Sequence, residues 1–325
     1  MSLDAILDLA KQVDSGIEVK DITPLQGGFS SQAYKVDRGD RPFVLLVERP
    51  GSVSPSNYGH AYTVITLLQK HNFKYAPLPL WLKEDHKALA ISFFDGVASD
   101  TFNFDSNHID SSRVALEVID SLLDTASITL DEYENTAKNF GVEPLPIESP
   151  MDGARKYGTV WLDIVRKSCP DEDIVAWLEP RVERSIELAK TMGNNPPVFG
   201  HGDPSNPNIL LRQDGSFMLI DWDSARFHTS GPEFFVAYTT NLTDFMKPYR
   251  EVLTSHVAQK IGVSVEEFTH RVHEYRRYTE VFDVNWAAMM MARINAGEVS
   301  GDIHEFRAIA QERMKIYDSS FGGVL

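Results

Sequence analysis

One cysteine, Cys169, stands in 325 residues, so the chain can form no internal disulfide and is expected in a reducing compartment, the cytoplasm. Long apolar runs are missing too. Those present, such as Phe43 to Val47 and Trp286 to Ala292, fall well short of the ~18 residues that would span a bilayer. The opening stretch, MSLDAILDLAKQVD, carries acids where a signal peptide carries bases, so no export signal is expected. Positive charge is scarce: 31 Lys and Arg face 47 Asp and Glu, a formal net charge of −16. That deficit argues against nucleic acid or an anionic membrane as partner. It is also uneven. Ten bases meet eleven acids in residues 1–96, which leaves 21 against 36 in the remainder. The later part would draw a cationic small molecule, although acids kept for solubility account for it equally well.

What is present is a change of periodicity. Ser2 followed by Leu3, Ile6, Leu7, Ala10 and Val13 predicts a capped amphipathic helix. Strands are expected at Val19 to Thr23, Gln32 to Asp37 and Pro42 to Val47, with LQGGFSS between the first two. A helix over Tyr62 to Lys70 and strands at Pro79 to Lys83 and Ala88 to Phe94 follow. Beyond Gly96 the pattern is helical, at Ser112 to Leu123, Ile174 to Met192, Glu266 to Tyr278 and Val281 to Asn295. Strands first and helices afterwards indicate an α+β protein in two lobes, 1–96 and 97–325. The acidic stretch from Asp100 to Pro150 ends in EPLPIESP, which reads as exposed and irregular.

The strongest chemical signal is His201-Gly202-Asp203-Pro204-Ser205-Asn206-Pro207-Asn208. It has the H-x-D-x-x-x-x-N spacing of a kinase catalytic loop. Phosphoryl transfer needs a carboxylate to orient the acceptor hydroxyl and take its proton. It also needs an oxygen ligand for Mg²⁺ a few residues further on. Next comes a strand-turn-strand pattern: Ile209 to Leu211, the turn Gln213 to Ser216, then Phe217 to Ile220. It ends in Asp221-Trp222-Asp223, so a hairpin returns a carboxylate towards the loop, where a second metal ligand belongs. The competing reading is a surface loop with an incidental His and Asp.

HGDPSNPNILL and MLIDWDSA resemble the aminoglycoside phosphotransferase and choline kinase family of kinase-like enzymes. The resemblance implies a bilobal, protein-kinase-like α+β fold, with a small antiparallel-sheet N-lobe that binds nucleotide and a larger, mainly helical C-lobe. It implies Asp203 as catalytic base, Asn208 and Asp221 as Mg²⁺ ligands, Asp223 as a supporting acid near the metal, and His201 as a residue bracing the loop. Gly27, Gly28 and Ser30 would cover phosphates through backbone N–H groups, and Ser92 and Phe94 would lie in the hinge that holds adenine. A Gly-Gly turn between strands is otherwise an ordinary hairpin, and Ile91 to Asp95 an ordinary buried strand.

The sequence departs from the family in the upper lobe. The cation normally carried by the third strand falls at Leu46 or Glu48 of RPFVLLVERP, and neither can serve. Arg49 is the nearest cation and is expected to reach the phosphates, although strict alternation turns it to the other face. The acid usually found in the next helix falls near His60-Ala61, and no acid lies between Gly51 and Lys83, so His60 or a more distant acid is expected in its place beside Arg49.

The function expected is ATP- and Mg²⁺-dependent phosphorylation of a small-molecule hydroxyl, with an amine-bearing alcohol or an aminoglycoside favoured by the acidic later part. Two other readings stand beside it. One is a metal-dependent hydrolase, which lacks a supporting histidine cluster. The other is a pseudokinase that binds a ligand with little turnover. Trp286, Asp283 and Glu280 would suit an acceptor amine, packing being the plainer explanation. His270 and His273 read as solvated, and Met289 to Met291 as helix core.

Overall fold

Ser2 caps α1 (Leu3–Val13): its hydroxyl accepts the Ala5 N–H at 3.3 Å, satisfying a donor that the first turn leaves free. The computed structural model describes residues 2–25, 31–39, 41–49, 56–193 and 195–322. Ile6, Leu9 and Ala10 form the buried stripe of α1. They pack with Ile22, Val36, Phe43, Leu45, Val47, Ala88 and Ala90 into one apolar cluster, each large aliphatic side chain contributing about 1.5–3 kcal/mol by its burial.

That cluster lies on a five-stranded antiparallel sheet made of β1 (Ile22–Leu25), β2 (Ser31–Val36), β3 (Phe43–Glu48), β4 (Pro79–Leu82) and β5 (Ala88–Ser92), in the order β1-β2-β3-β5-β4. The first strand starts later than its sequence suggests. Val19–Asp21 makes a 3-10 turn because the Asp21 carboxylate accepts the Glu18 N–H at 2.9 Å, which draws the backbone away from a ladder. Along β3 burial alternates: Phe43, Leu45 and Val47 face the apolar cluster, and Val44, Leu46 and Glu48 the other side.

The chain divides into two compact units, Met1–Pro146 with Phe199–Arg226, and Ile147–Val198 with Phe227–Leu325. The first unit continues with α2 (Tyr58–Lys70), whose Asn57 cap accepts the His60 N–H at 3.2 Å. After it come β6 (Val97–Ala98), α3 (Ser111–Asp124) and α4 (Leu130–Asn139). α4 opens on a Thr129/Glu132 capping box, a signal the sequence carries and the reading above did not use. The short β7 (Val198–Gly200) leads into His201. β8 (Ile209–Leu211) and β9 (Phe217–Leu219) form the expected hairpin, Ile209 opposite Leu219 and Leu211 opposite Phe217, with β6 added at its edge.

The second unit is helical: α5 (Pro150–Gly153), a π-helical stretch Ala154–Val160, α6 (Trp161–Ser168), α7 (Glu172–Thr191), α8 (Pro232–Leu242), α9 (Arg250–Ile261), α10 (Val265–Asn295) and α11 (Ile303–Phe321). Asn285 donates to the carbonyls of Tyr157 (2.7 Å) and Gly158 (3.0 Å) in the π stretch. The two helices expected at 266–278 and 281–295 are one, α10, of 31 residues. No Gly or Pro interrupts it at the join, where Thr279 and Glu280 are buried, and burial outweighs the weak local signal. Met289 to Met291 are core, as the spacing suggests. Among the described residues no helix is long and apolar enough to cross a membrane.

Candidate active site

His201 is buried, and both its ring nitrogens are engaged. Nε2–H donates to the Ile220 carbonyl at 2.9 Å, and Nδ1 accepts the Asp203 N–H at 3.3 Å. A carbonyl can only accept, so the ring proton sits on Nε2. Burial pushes the imidazole down to about 4, which keeps it neutral. The ring lies against Trp222, 4.2 Å between centroids. The Trp222 indole N–H donates to the Leu219 carbonyl at 2.8 Å in the core. Between His201 and Asp203 the backbone needs glycine. Gly202 has φ +84°, and a Cβ there would lie 2.2 Å from the Ser224 carbonyl oxygen.

Asn208 closes the loop. Its side-chain N–H₂ donates to the Asp203 carbonyl and carboxylate, 2.9 Å each, and to Ser205 Oγ at 3.2 Å, leaving the amide oxygen for another partner. Burial is the largest influence on Asp203 and raises its pKa. The charge of Asp223 adds to the rise, and hydrogen bonds from Ser205 and Asn208 oppose it.

Asp221 adopts left-handed backbone angles, φ 63° and ψ 63°, a conformation that costs a non-glycine residue about 1 kcal/mol or more. Its pKa is raised, first by desolvation and then by the charges of Asp223 and Asp203, and its side chain hydrogen-bonds Asp223. The residue keeps solvent access, so water relieves part of the desolvation. Asp223 is raised as well, through burial; Ser224, Asp221, Arg226 and the Asn57 N–H pull it back.

The three raised carboxylates are electrostatically linked through Asp223, which raises both Asp203 and Asp221, and Asn208 adds an amide oxygen. This all-oxygen, charge-dense set fits a hard divalent cation. Among the described residues no three His, Cys, Asp or Glu side chains could hold a metal unaided. Magnesium in phosphoryl transfer takes one or two protein ligands and fills its shell with phosphate and water oxygens, so the donor set remains suitable.

The remaining candidates are spread along the chain. Gly27, Gly28 and Ser30 lie outside the described residues. Ser92 ends β5, and its hydroxyl accepts the Leu78 N–H at 2.8 Å. The Phe94 ring lies 4.0 Å under the Arg212 guanidinium, whose Nε donates to the Asp95 carbonyl at 3.2 Å. Arg49 follows β3 and is exposed. Glu48 lies 3.9 Å from Lys87. His60 cannot serve as an acidic partner for Arg49, because its nitrogens are bonded to Ala225 and Tyr133 and burial lowers its pKa to about 4.

In the second unit Asp283 accepts from Asn241 and Glu280 pairs with Arg276 at 2.8 Å, while Trp286 packs edge-on against Phe306. Burial raises Asp283 to about 7. His270 is exposed, and His273 lies against the Phe321 ring.

Residues 21–253 match the phosphotransferase enzyme family. The chain belongs to that family. The phosphotransferase also shares its fold with solved structures. Spectinomycin phosphotransferase, in complex with ADP and spectinomycin, is 17% identical over 98% of each chain, with a TM-score of 0.65. Plasmodium vivax ethanolamine kinase is 15% identical over 98% of this chain and 88% of that one, TM-score 0.65. A choline/ethanolamine kinase family protein from Mesorhizobium loti is 14% identical over 97% and 94%, TM-score 0.58. No curated protein matches the sequence. At such identity the likeness speaks for the fold, which is kinase-like and α+β.

Sequence reasoning missed Tyr58 and Tyr133. Tyr58 is buried beside Ser31 and Ser56, in the field of Asp221 and Asp223, and its hydroxyl makes no hydrogen bond of good geometry. The signal available was an aromatic directly after a capping asparagine, which alone says nothing of chemistry.

Proposed function

We propose that this phosphotransferase moves the γ-phosphoryl group of ATP to a hydroxyl of a small molecule, using Mg²⁺. The observation that carries the reading is the electrostatic coupling of Asp203, Asp221 and Asp223, held together by the buried His201. Asp203 orients the acceptor hydroxyl and takes its proton as the acceptor oxygen bonds to phosphorus and the bond to the ADP oxygen breaks. Its raised pKa makes it a better base than a free aspartate. Asn208 and Asp221 would hold the cation, with Asp223 in support. Bound there, magnesium would offset the charge gathering on the phosphoryl oxygens. His201 orients the loop without touching the reactants.

Residues 1–96 would bind the nucleotide, with Gly27, Gly28 and Ser30 over the phosphates, Ser92 and Phe94 at the base, and Arg49 supplying positive charge; 97–325 would carry catalysis and acceptor binding. An amine-bearing alcohol or an aminoglycoside suits the net charge of −16, which also disfavours nucleic acid and anionic membranes. A lone, half-buried Cys169 agrees with a cytoplasmic location. The test is a panel of candidate acceptors with ATP and Mg²⁺, read as ADP release above the acceptor-free background. A second reading, a pseudokinase, is favoured by Leu46 and Glu48 on the face of β3 turned from the core, where no cation stands.

A further inference from the structure

We propose that His60 is a positioning residue: it fastens the carboxylate-bearing segment Asp221–Ala225 to α2 through neutral hydrogen bonds. The inference rests on reading Asp221 as a magnesium ligand with Asp223 in support. His60 is fully buried in the first turn of α2. Its Nε2–H donates to the Ala225 carbonyl at 2.6 Å, the Tyr133 hydroxyl donates to its Nδ1 at 3.0 Å, and that hydroxyl accepts the Leu145 N–H at 2.7 Å.

The carbonyl fixes the proton on Nε2. Nδ1 must then accept, so the tyrosine proton points to histidine and its lone pair to Leu145. Every group has one role and each role is filled. The Tyr133 ring meets the imidazole edge-on, 5.7 Å between centroids, which holds the ring plane.

α2 grips the same segment a second time. The Asn57 N–H faces the Asp223 carboxylate and favours its charged form. Asn57 and His60 are three residues apart and share a helix face, and their partners Asp223 and Ala225 lie two residues apart. Together the two attachments resist rotation of the segment. They also hold Asp221, whose backbone angles are left-handed. α2 contains no acid, so its hold on the carboxylate-bearing segment runs through these neutral bonds. Misplacing a reacting group by about 1 Å can cost on the order of 10²-fold.

The test compares wild type, His60→Gln and His60→Leu for affinity towards a non-hydrolysable ATP analogue, with Mg²⁺ and with EDTA. Gln keeps a donor near the Nε2 position; Leu keeps the bulk and loses the donor. Wild type and His60→Gln should show the same magnesium-dependent gain. His60→Leu should lose most of it, about tenfold or more, with EDTA affinity unchanged, which also reports that it folds. A full gain in His60→Leu, or an equal loss in His60→Gln, overturns the proposal. If His60→Leu does not fold, Tyr133→Phe decides: it frees Nδ1 and should cut the gain several-fold, and an unchanged gain overturns the brace. Wild type lacking any magnesium-dependent gain would sink the metal reading instead. Hydrogen exchange of 221–226 then tests the brace alone: faster exchange in His60→Leu than in His60→Gln supports it, and equal rates refute it.

Discussion

The His201 ring donates at 2.9 Å to the carbonyl of Ile220, so the residue two before Asp203 is bonded to the residue one before Asp221. The loop and the hairpin end therefore form one rigid piece, and the coupling of their carboxylates follows from it. Trp222 pads the other side of the ring. Local sequence could set each segment; this contact, with the Ile220 N–H donating to the Asn208 carbonyl at 2.9 Å, sets their separation.

Acid should unfold the protein through its buried imidazoles. His201 and His60 are held at about 4, against an ordinary value of 6.5. The unfolded chain binds protons that the folded one refuses, so stability is full above about pH 6.5 and falls as pH drops towards 4. Each residue contributes at most about 3 kcal/mol to that loss. Urea titrations at pH 7, 5.5 and 4.5 should show it, and His201→Gln should flatten the dependence. The raised carboxylates Asp221 and Asp283 act with the opposite sign, so the histidine share is the difference between wild type and His201→Gln, and an equal pH dependence in the two would contradict the burial account.

Gly202→Ala should destabilise the fold by about 2–4 kcal/mol, because it sets a methyl 2.2 Å from a backbone oxygen at a positive φ. Chemical denaturation measures it. A loss below about 0.5 kcal/mol would mean that the loop relaxes freely and is not tightly fixed against Ser224.

The hairpin after Asn208 was legible because a tight turn dictates its spacing, and α1 because Ser2 and the apolar stripe agree. Local signals could not reveal contacts between distant residues. The His60 to Ala225 bond joins residues 165 apart in sequence, and His60 to Tyr133 joins residues 73 apart. No acid stands near His60 in the sequence, and the bonds His60 makes instead needed the three-dimensional structure. The first strand and the split of α10 were misplaced because an Asp21 side chain and core burial outweigh propensity.

Asp221→Ala should weaken binding of nucleotide in the presence of Mg²⁺ by tenfold or more, an order of magnitude expected for a lost charged metal ligand. Binding in EDTA should stay the same or tighten slightly, since a repelling charge is gone. Calorimetric titration with and without the metal separates the two. Equal weakening in both conditions would place Asp221 outside the metal site.

Arg49→Ala should lower ATP affinity about tenfold if its guanidinium meets the phosphates, the expected scale for a charge-assisted pair. Fluorescence titration with a labelled nucleotide measures this. An unchanged affinity would make Arg49 a plain surface residue and strengthen the pseudokinase reading.

The most direct test is acceptor-dependent ADP release by wild type and Asp203→Ala over a panel of amino alcohols, aminoglycosides and sugars. Wild type should release ADP above background with at least one acceptor. Asp203→Ala should lose about 10²–10⁴-fold of that rate, as removal of a catalytic base does, while binding ATP within a few-fold of wild type. Turnover in Asp203→Ala close to that of wild type would contradict the assignment of Asp203 as the base and the phosphotransfer mechanism built on it.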